Sequence, residues 1–201
     1  GRQISQPLNA NGAYNLRADI SSAFPLKKLQ TFINTNTALE YTRDINYFNG
    51  QAGNVSNVSI VQSISFNYTY KTMYELSLKS SVIYNGARYS QQKESNIDLF
   101  DYFTSLRYSV FLPAGFSIGG NLDYQRNTGR TAGYNLDVTM VNFFVSKSIL
   151  HNKRGLVKIQ CFDLLDRNQA TARTSGPDYI EYVQSKVLNR FFLVNFSYFI
   201  K

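Results

Sequence analysis

Cysteine, histidine and tryptophan are almost missing from this chain, and each absence removes a class of chemistry. The 201 residues hold one Cys, one His and no Trp, with only 4 Pro. A lone Cys161 excludes a disulfide framework within the chain. Its setting, "IQCFD", reads as a strand with a small buried or lipid-facing thiol. One Cys with one His, His151 in the turn-like "HNKRG", leaves a Cys/His metal site without its ligands. The shortage of His also removes the commonest catalytic base. The glycines of "NTGRTAG" lack the strand-to-helix context of a phosphate loop. No catalytic, cofactor-binding or metal residues are assigned, and the chain is not read as an enzyme.

Long apolar runs are missing too. Nothing approaches the roughly 18 uncharged apolar residues of a membrane helix. That leaves the membrane open, because a closed β-barrel also spans it. "GRQISQPLNANGAYNL" at the start lacks the apolar core of a secretory signal, so it reads as a mature product, an engineered fragment or an interior piece. The net charge is +8, yet no block of five or more basic residues occurs. A basic patch is the minimum footprint for nucleic acid, so no nucleic-acid partner is expected. Four matches to the N-glycosylation pattern, "NVS" twice, "NYT" and "NFS", are what chance gives in so Asn- and Ser-rich a chain.

What is abundant is alternation. In 115–125, "GFSIGGNLDYQ", Phe116, Ile118, Gly120, Leu122 and Tyr124 take one parity and Ser117, Gly119, Asn121, Asp123 and Gln125 the other. A strand turns successive side chains to opposite faces, so this stretch has an apolar and a polar side. The same period marks 13–24, 58–70, 74–84 and the end of the chain, where Phe192, Val194, Phe196, Tyr198 and Ile200 share a face. In 134–140, Tyr134, Leu136, Val138 and Met140 are the apolar set against Asn135, Asp137 and Thr139. Segments 28–46, 97–112 and 156–164 carry it more weakly. About nine strands and no amphipathic helix are expected.

The connections alternate in length. Tight turns at 24–28, 70–73, 112–116 and 150–155 interleave with polar links at 46–57, 89–96, 125–133 and 165–185. Short turns at one end and long loops at the other are the plan of an outer-membrane barrel. Tyr and Phe recur at strand ends, as girdles at two lipid interfaces would require. The expected fold is therefore all-β: an antiparallel up-and-down transmembrane β-barrel of about nine strands, part of a larger barrel. A soluble sandwich would share the alternation, but its strands are usually shorter.

Residues 156–201 resemble the C-terminal end of a TonB-dependent receptor-like outer-membrane β-barrel of the Bacteroidetes type. The carriers are a strand running into "DLLDRN", a long loop with "GPDYIEY", and a last strand "RFFLVNFSYFIK" with aromatics at alternate positions. "NGAYNLRADISSAFPLKK" at 11–28, "SVFLPAGFSIGGNLDY" at 109–124 and "TAGYNLDVTMVNFFVSKSIL" at 131–150 fit the same pattern. The resemblance implies that 1–201 is the C-terminal part of the barrel domain of a longer receptor in the Gram-negative outer membrane. It implies solute transport, with outer-membrane lipid, the remaining barrel and plug, TonB and a surface lipoprotein as partners. Its plug and TonB box are not in this sequence, and Lys201 stands where such barrels usually end in an aromatic. Counting back from the last strand puts every short turn in the periplasm. A complete small barrel of 8–10 strands with a structural or adhesive role, or a soluble β-sandwich binding module, would be the other readings.

Within the wall, the spacing lets Asp123 and Asp137 face each other across one hairpin. Such a pair suits acid/base work or a cation. The plainer reading is a hydrated wall interspersed with Arg17, Lys79 and Arg107. Substrate identity is not encoded in any motif, and no ligand-binding residue is assigned.

Overall fold

The computed structural model describes residues 11–48, 51–91, 93–130, 134–168, 170–175 and 180–200. Among the described residues eleven strands run in chain order. They are β1 (Tyr14–Leu26), β2 (Thr31–Phe48), β3 (Gln51–Tyr70), β4 (Tyr74–Tyr89), β5 (Ile97–Leu112) and β6 (Phe116–Thr128). The rest are β7 (Asp137–Ile149), β8 (Gly155–Phe162), β9 (Ala170–Ser175), β10 (Ile180–Ser185) and β11 (Phe191–Tyr198). Nine form one antiparallel meander in the order β1-β2-β3-β4-β5-β6-β7-β8-β11, while β9 and β10 pair as a separate hairpin. The expected all-β, up-and-down architecture is what the chain adopts. No helix of the described residues is long and apolar enough to cross a membrane.

The turns at one end are short because one to three residues in each accept the left-handed backbone conformation. Gln30, Lys71, Ala114 and Asn152 have φ of 50°, 49°, 59° and 55°. Each reverses the chain within a three-residue turn, at Lys27–Leu29, 71–73, Pro113–Gly115 and His151–Lys153. Gly115, at φ +77°, takes the same region without the Cβ penalty. Successive hairpins are staggered. Tyr74 lies opposite Val110, but the next hairpin closes two residues further on, at Leu112 opposite Phe116. Phe116 in turn lies opposite Lys147, and that hairpin closes at Ile149 opposite Gly155. A constant stagger is what strands tilted around a barrel require.

The other end departs from the reading of 46–57 as a loop. β2 and β3 stay paired out to Phe48 opposite Gln51. Asn, Gly and Ser there break the apolar alternation but leave every backbone group free to join the ladder. β6 likewise runs to Thr128. The 165–185 link contains the β9–β10 hairpin, which short polar segments did not announce. Residues 131–133 and 176–179, within "NTGRTAG" and "GPDYIEY", lie outside the described residues.

Register shows which side chains share a face. One row runs Phe24–Ile33–Phe66–Leu78–Leu106–Leu122–Val141, strand after strand. Another joins Val145, Ile159 and Val194. Leu122 thus shares its face with Val141, so the odd positions of β7 continue the apolar face. That corrects the parity expected at 134–140. Leu136 and Val138, each 5% exposed, make a local core on the polar side, Val138 lying opposite Gln125. Periodicity could not tell that local core from the main face.

The apolar face has no protein over it. Leu16, Ile20, Phe192 and Val194 are 62–69% exposed, and no large side chain is fully buried among the described residues. A water-soluble sandwich would cover this face with a second sheet. Aromatics bound it at both ends. Tyr14 meets Tyr41 and Tyr84 meets Phe100 at the loop end, with centroids 5.8 and 5.0 Å apart. Tyr70 meets Tyr74 at the turn end, 6.2 Å apart. The few hydroxyls and amides between them pair with one another, Thr37 donating to Gln62 at 2.6 Å and Ser80 lying 2.9 Å from Thr104.

Candidate functional site

The polar face is the candidate site, because the strand parity delivers most charges of the middle of the wall to it. Arg17, Asp19, Glu40, Lys79, Arg107, Asp123 and Lys158 all lie on this side, set there by pairings such as Arg17 with Glu40 and Lys79 with Ser105. Hydrogen bonds run across and along the strands. Asn15 donates across to Glu40 and Thr42 at 2.9 and 3.0 Å, and Arg17 donates along β1 to Asp19 at 2.8 Å. Asn36 donates to Ser21 at 2.9 Å and Ser77 to Asn67 at 2.7 Å. Further along, Asn195 donates to Gln160 at 2.9 Å and Ser117 lies 2.6 Å from Ser146.

Asp123 sits in the middle of this network. It accepts from Ser105 at 2.5 Å and from Asn121, which itself accepts from Asn142 at 3.3 Å. Asp137 is elsewhere. It lies opposite Arg126 on the apolar-face parity, 3.8 Å from that guanidinium, while Asp123 lies opposite Met140. The expected facing pair does not exist, since the three-residue offset turns the two carboxylates to opposite sides. Among the described residues no three His, Cys, Asp or Glu approach closely enough to hold a metal ion. Lys158 lies over the Phe144 ring at 4.2 Å. The face offers donors, acceptors and cations along a surface, the chemistry of a hydrated passage or of a docking wall for a polar partner.

The loop end is anchored by "DLLDRN". Asp163, 4% exposed and in the left-handed conformation, accepts from the backbone N–H of Arg167 and Asn168 at 3.0 and 2.9 Å. Asp166 accepts from the N–H of Arg190 at 3.0 Å. Asn168 donates to the Leu188 carbonyl at 3.3 Å. The motif therefore ties together both feet of the long loop. Nearby, Arg130 donates to Asp101 at 2.7 Å at the inner rim.

One cluster escaped the sequence reading. On the outward side, at the loop end, Tyr84 donates to Asp98 at 2.6 Å and Arg88 donates to the same oxygen at 2.6 Å. Arg88, aided by Tyr84, holds the Asp98 carboxyl below the usual carboxylate range, and Asp98 raises Arg88. Gly86 makes this possible, since a Cβ there would meet the Tyr84 hydroxyl at 2.5 Å. The signal was an aromatic two residues before a glycine in "YNGARY". Cys161 faces outward, buried between Phe143 and Phe192 in the register, and His151 lies in a turn.

A family model described as "Outer membrane protein beta-barrel family" matches residues 52–198, well over half of the chain. Neither a curated protein nor a solved structure matches it.

Proposed function

Because this chain belongs to the outer membrane protein β-barrel family and is an outer-membrane protein, we propose that it forms the C-terminal wall and extracellular loops of a TonB-dependent receptor-like transporter for solute uptake. The observation that carries the reading is the open sheet. β1 and β11 are its two edges, and no ladder joins them among the described residues. Strands alternate in direction, so β1 and β11 both run toward the short turns. Joining them directly would make a parallel seam in an antiparallel barrel. Unpaired edges in lipid cost several kcal/mol per backbone group, so an odd number of further strands belongs between them. This favours a larger barrel over a complete small one. The charged inner face suits a lumen that holds a plug and passes a polar solute. The short turns face the periplasm and the long loops the cell exterior. TonB, acting through a plug, and a surface lipoprotein are the proposed partners; no catalytic step is involved.

A deletion strain tested across single nutrient sources checks the transport role. Loss of growth on one solute class, restored by the gene and abolished by dissipating the proton gradient, is expected. Passive uptake indifferent to that gradient would point instead to a simple pore or a structural barrel.

A further inference from the structure

The net charge of +8 is not spread evenly. The loop end, taken as 43–56, 88–101, 126–137 and 163–190, carries nine Lys or Arg and nine Asp or Glu, and is neutral. The turn end, taken as 24–31, 70–75, 112–116 and 147–155, carries Lys27, Lys28, Lys71, Lys147, Lys153 and Arg154 against Glu75 alone. Six cations against one carboxylate leave +5 at that rim. At the loop end two outward arginines are engaged, Arg88 by Asp98 at 2.6 Å and Arg126 by Asp137 at 3.8 Å, while Arg43, opposite Tyr14, forms no ion pair among the described residues. At the turn end no ion pair forms among the described residues. Lys147 points outward, packs 3.7 Å over the Phe116 ring and donates to the Ala114 carbonyl at 2.8 Å. Lys71 lies 5.4 Å from the Tyr70 ring. Both belong to the aromatic belt where an apolar stem ends and headgroups begin. Arg154 keeps a buried Nε without an acceptor among the described residues.

We infer that this basic collar binds the phosphates of anionic phospholipid headgroups in the leaflet around the turns. Charge complementarity selects the occupant: ammonium groups with no carboxylate partner among the described residues, beside exposed aromatic and aliphatic side chains, fit a lipid that brings a phosphate and acyl chains together. The leaflet assignment rests on the periplasmic placement of the turns proposed above. The collar would fix the depth and tilt of the barrel from one side, while the balanced loop end stays indifferent to surface charge.

The test uses the protein as isolated from outer membranes, reconstituted in phosphatidylcholine vesicles with a trace of spin-labelled phosphatidylglycerol or spin-labelled phosphatidylcholine. The protein-immobilised fraction should favour phosphatidylglycerol by about fivefold at low salt, the scale of one basic residue near an anionic surface. In about 1 M salt, where screening acts within about 3 Å, the preference should collapse. A K27Q/K28Q/K153Q variant, altered only at exposed turn residues, should lose most of it, while R88Q at the other end keeps it. No preference in the native protein, or one unchanged in the triple variant, would overturn the site. A membrane-impermeant amine reagent separately reads orientation. Lys27, Lys28 and Lys153 should be protected in intact cells. Labelling there, with the lipid preference intact, would sink the leaflet assignment and the proposed orientation but leave the headgroup site standing.

Discussion

At the scale of residues, a glycine and a tyrosine two positions apart decide where a carboxylate is held. Gly86 leaves room for the Tyr84 ring to lie back and reach Asp98, which Arg88 holds from the other side. The folded Asp98 carboxyl titrates below its unfolded value, so its contribution is complete above the ordinary carboxylate range of about 3.9 and is lost as pH falls through the lower folded value. Acid should therefore loosen the 90–96 link before it affects the turn end, and Asp98→Asn should make that loosening independent of pH. Hydrogen exchange of the Tyr89 and Asn96 amides across an acid series reads the outcome. Leu122 and Asn121 make the second residue-scale comparison. They are adjacent in sequence and face lipid and lumen. Leu122→Arg, near the middle of the apolar band, should cost about 2–4 kcal/mol in a bilayer unfolding titration. The same change at Asn121 should cost far less, and equal costs would mean that the faces have been assigned wrongly.

Single elements are decided by what their backbones can pair with. β2 continues through 44–48 and β3 through 51–55 although apolar alternation has stopped, because Asn, Gly and Ser join a ladder as well as Val does. The long loop is held at its feet by Asp163, Asp166 and Asn168. Removing the buried Asp163 carboxylate leaves two backbone N–H groups unpaired, so Asp163→Ala should cost about 1–3 kcal/mol locally. Faster exchange at Arg167 and Asn168, with the sheet amides unchanged, is the expected signature. Trypsin added to intact cells should cut this loop at Lys186, which is exposed and outside any strand, ahead of Arg173, which is paired with Tyr182. Lys153 and Arg154 should resist until the outer membrane is opened. Cleavage in the opposite order would mean that the barrel sits upside down.

For the whole molecule, the two bare edges dominate. Isolated residues 1–201 should not refold in detergent to a compact monomer whose gel mobility changes on heating, because β1 and β11 run the same way and each has one edge without a partner among the described residues. Association or aggregation through the edges is expected instead. A heat-modifiable monomer would favour the complete small barrel.

The sequence by itself determined the nine-strand meander, the turn end and the apolar faces of β1, β3, β4, β6 and β11. A period of two and three-residue turns are local properties that survive in any context. Only the tertiary structure decided the β7 face, since Leu136 and Val138 are buried on the polar side and do not face lipid. It also decided that Asp123 and Asp137 never meet, because pairing register, not separation along the chain, sets which carboxylates share a face. The open edge belongs to the same class: composition and periodicity give strands, but whether a sheet closes depends on the direction and number of all of them together.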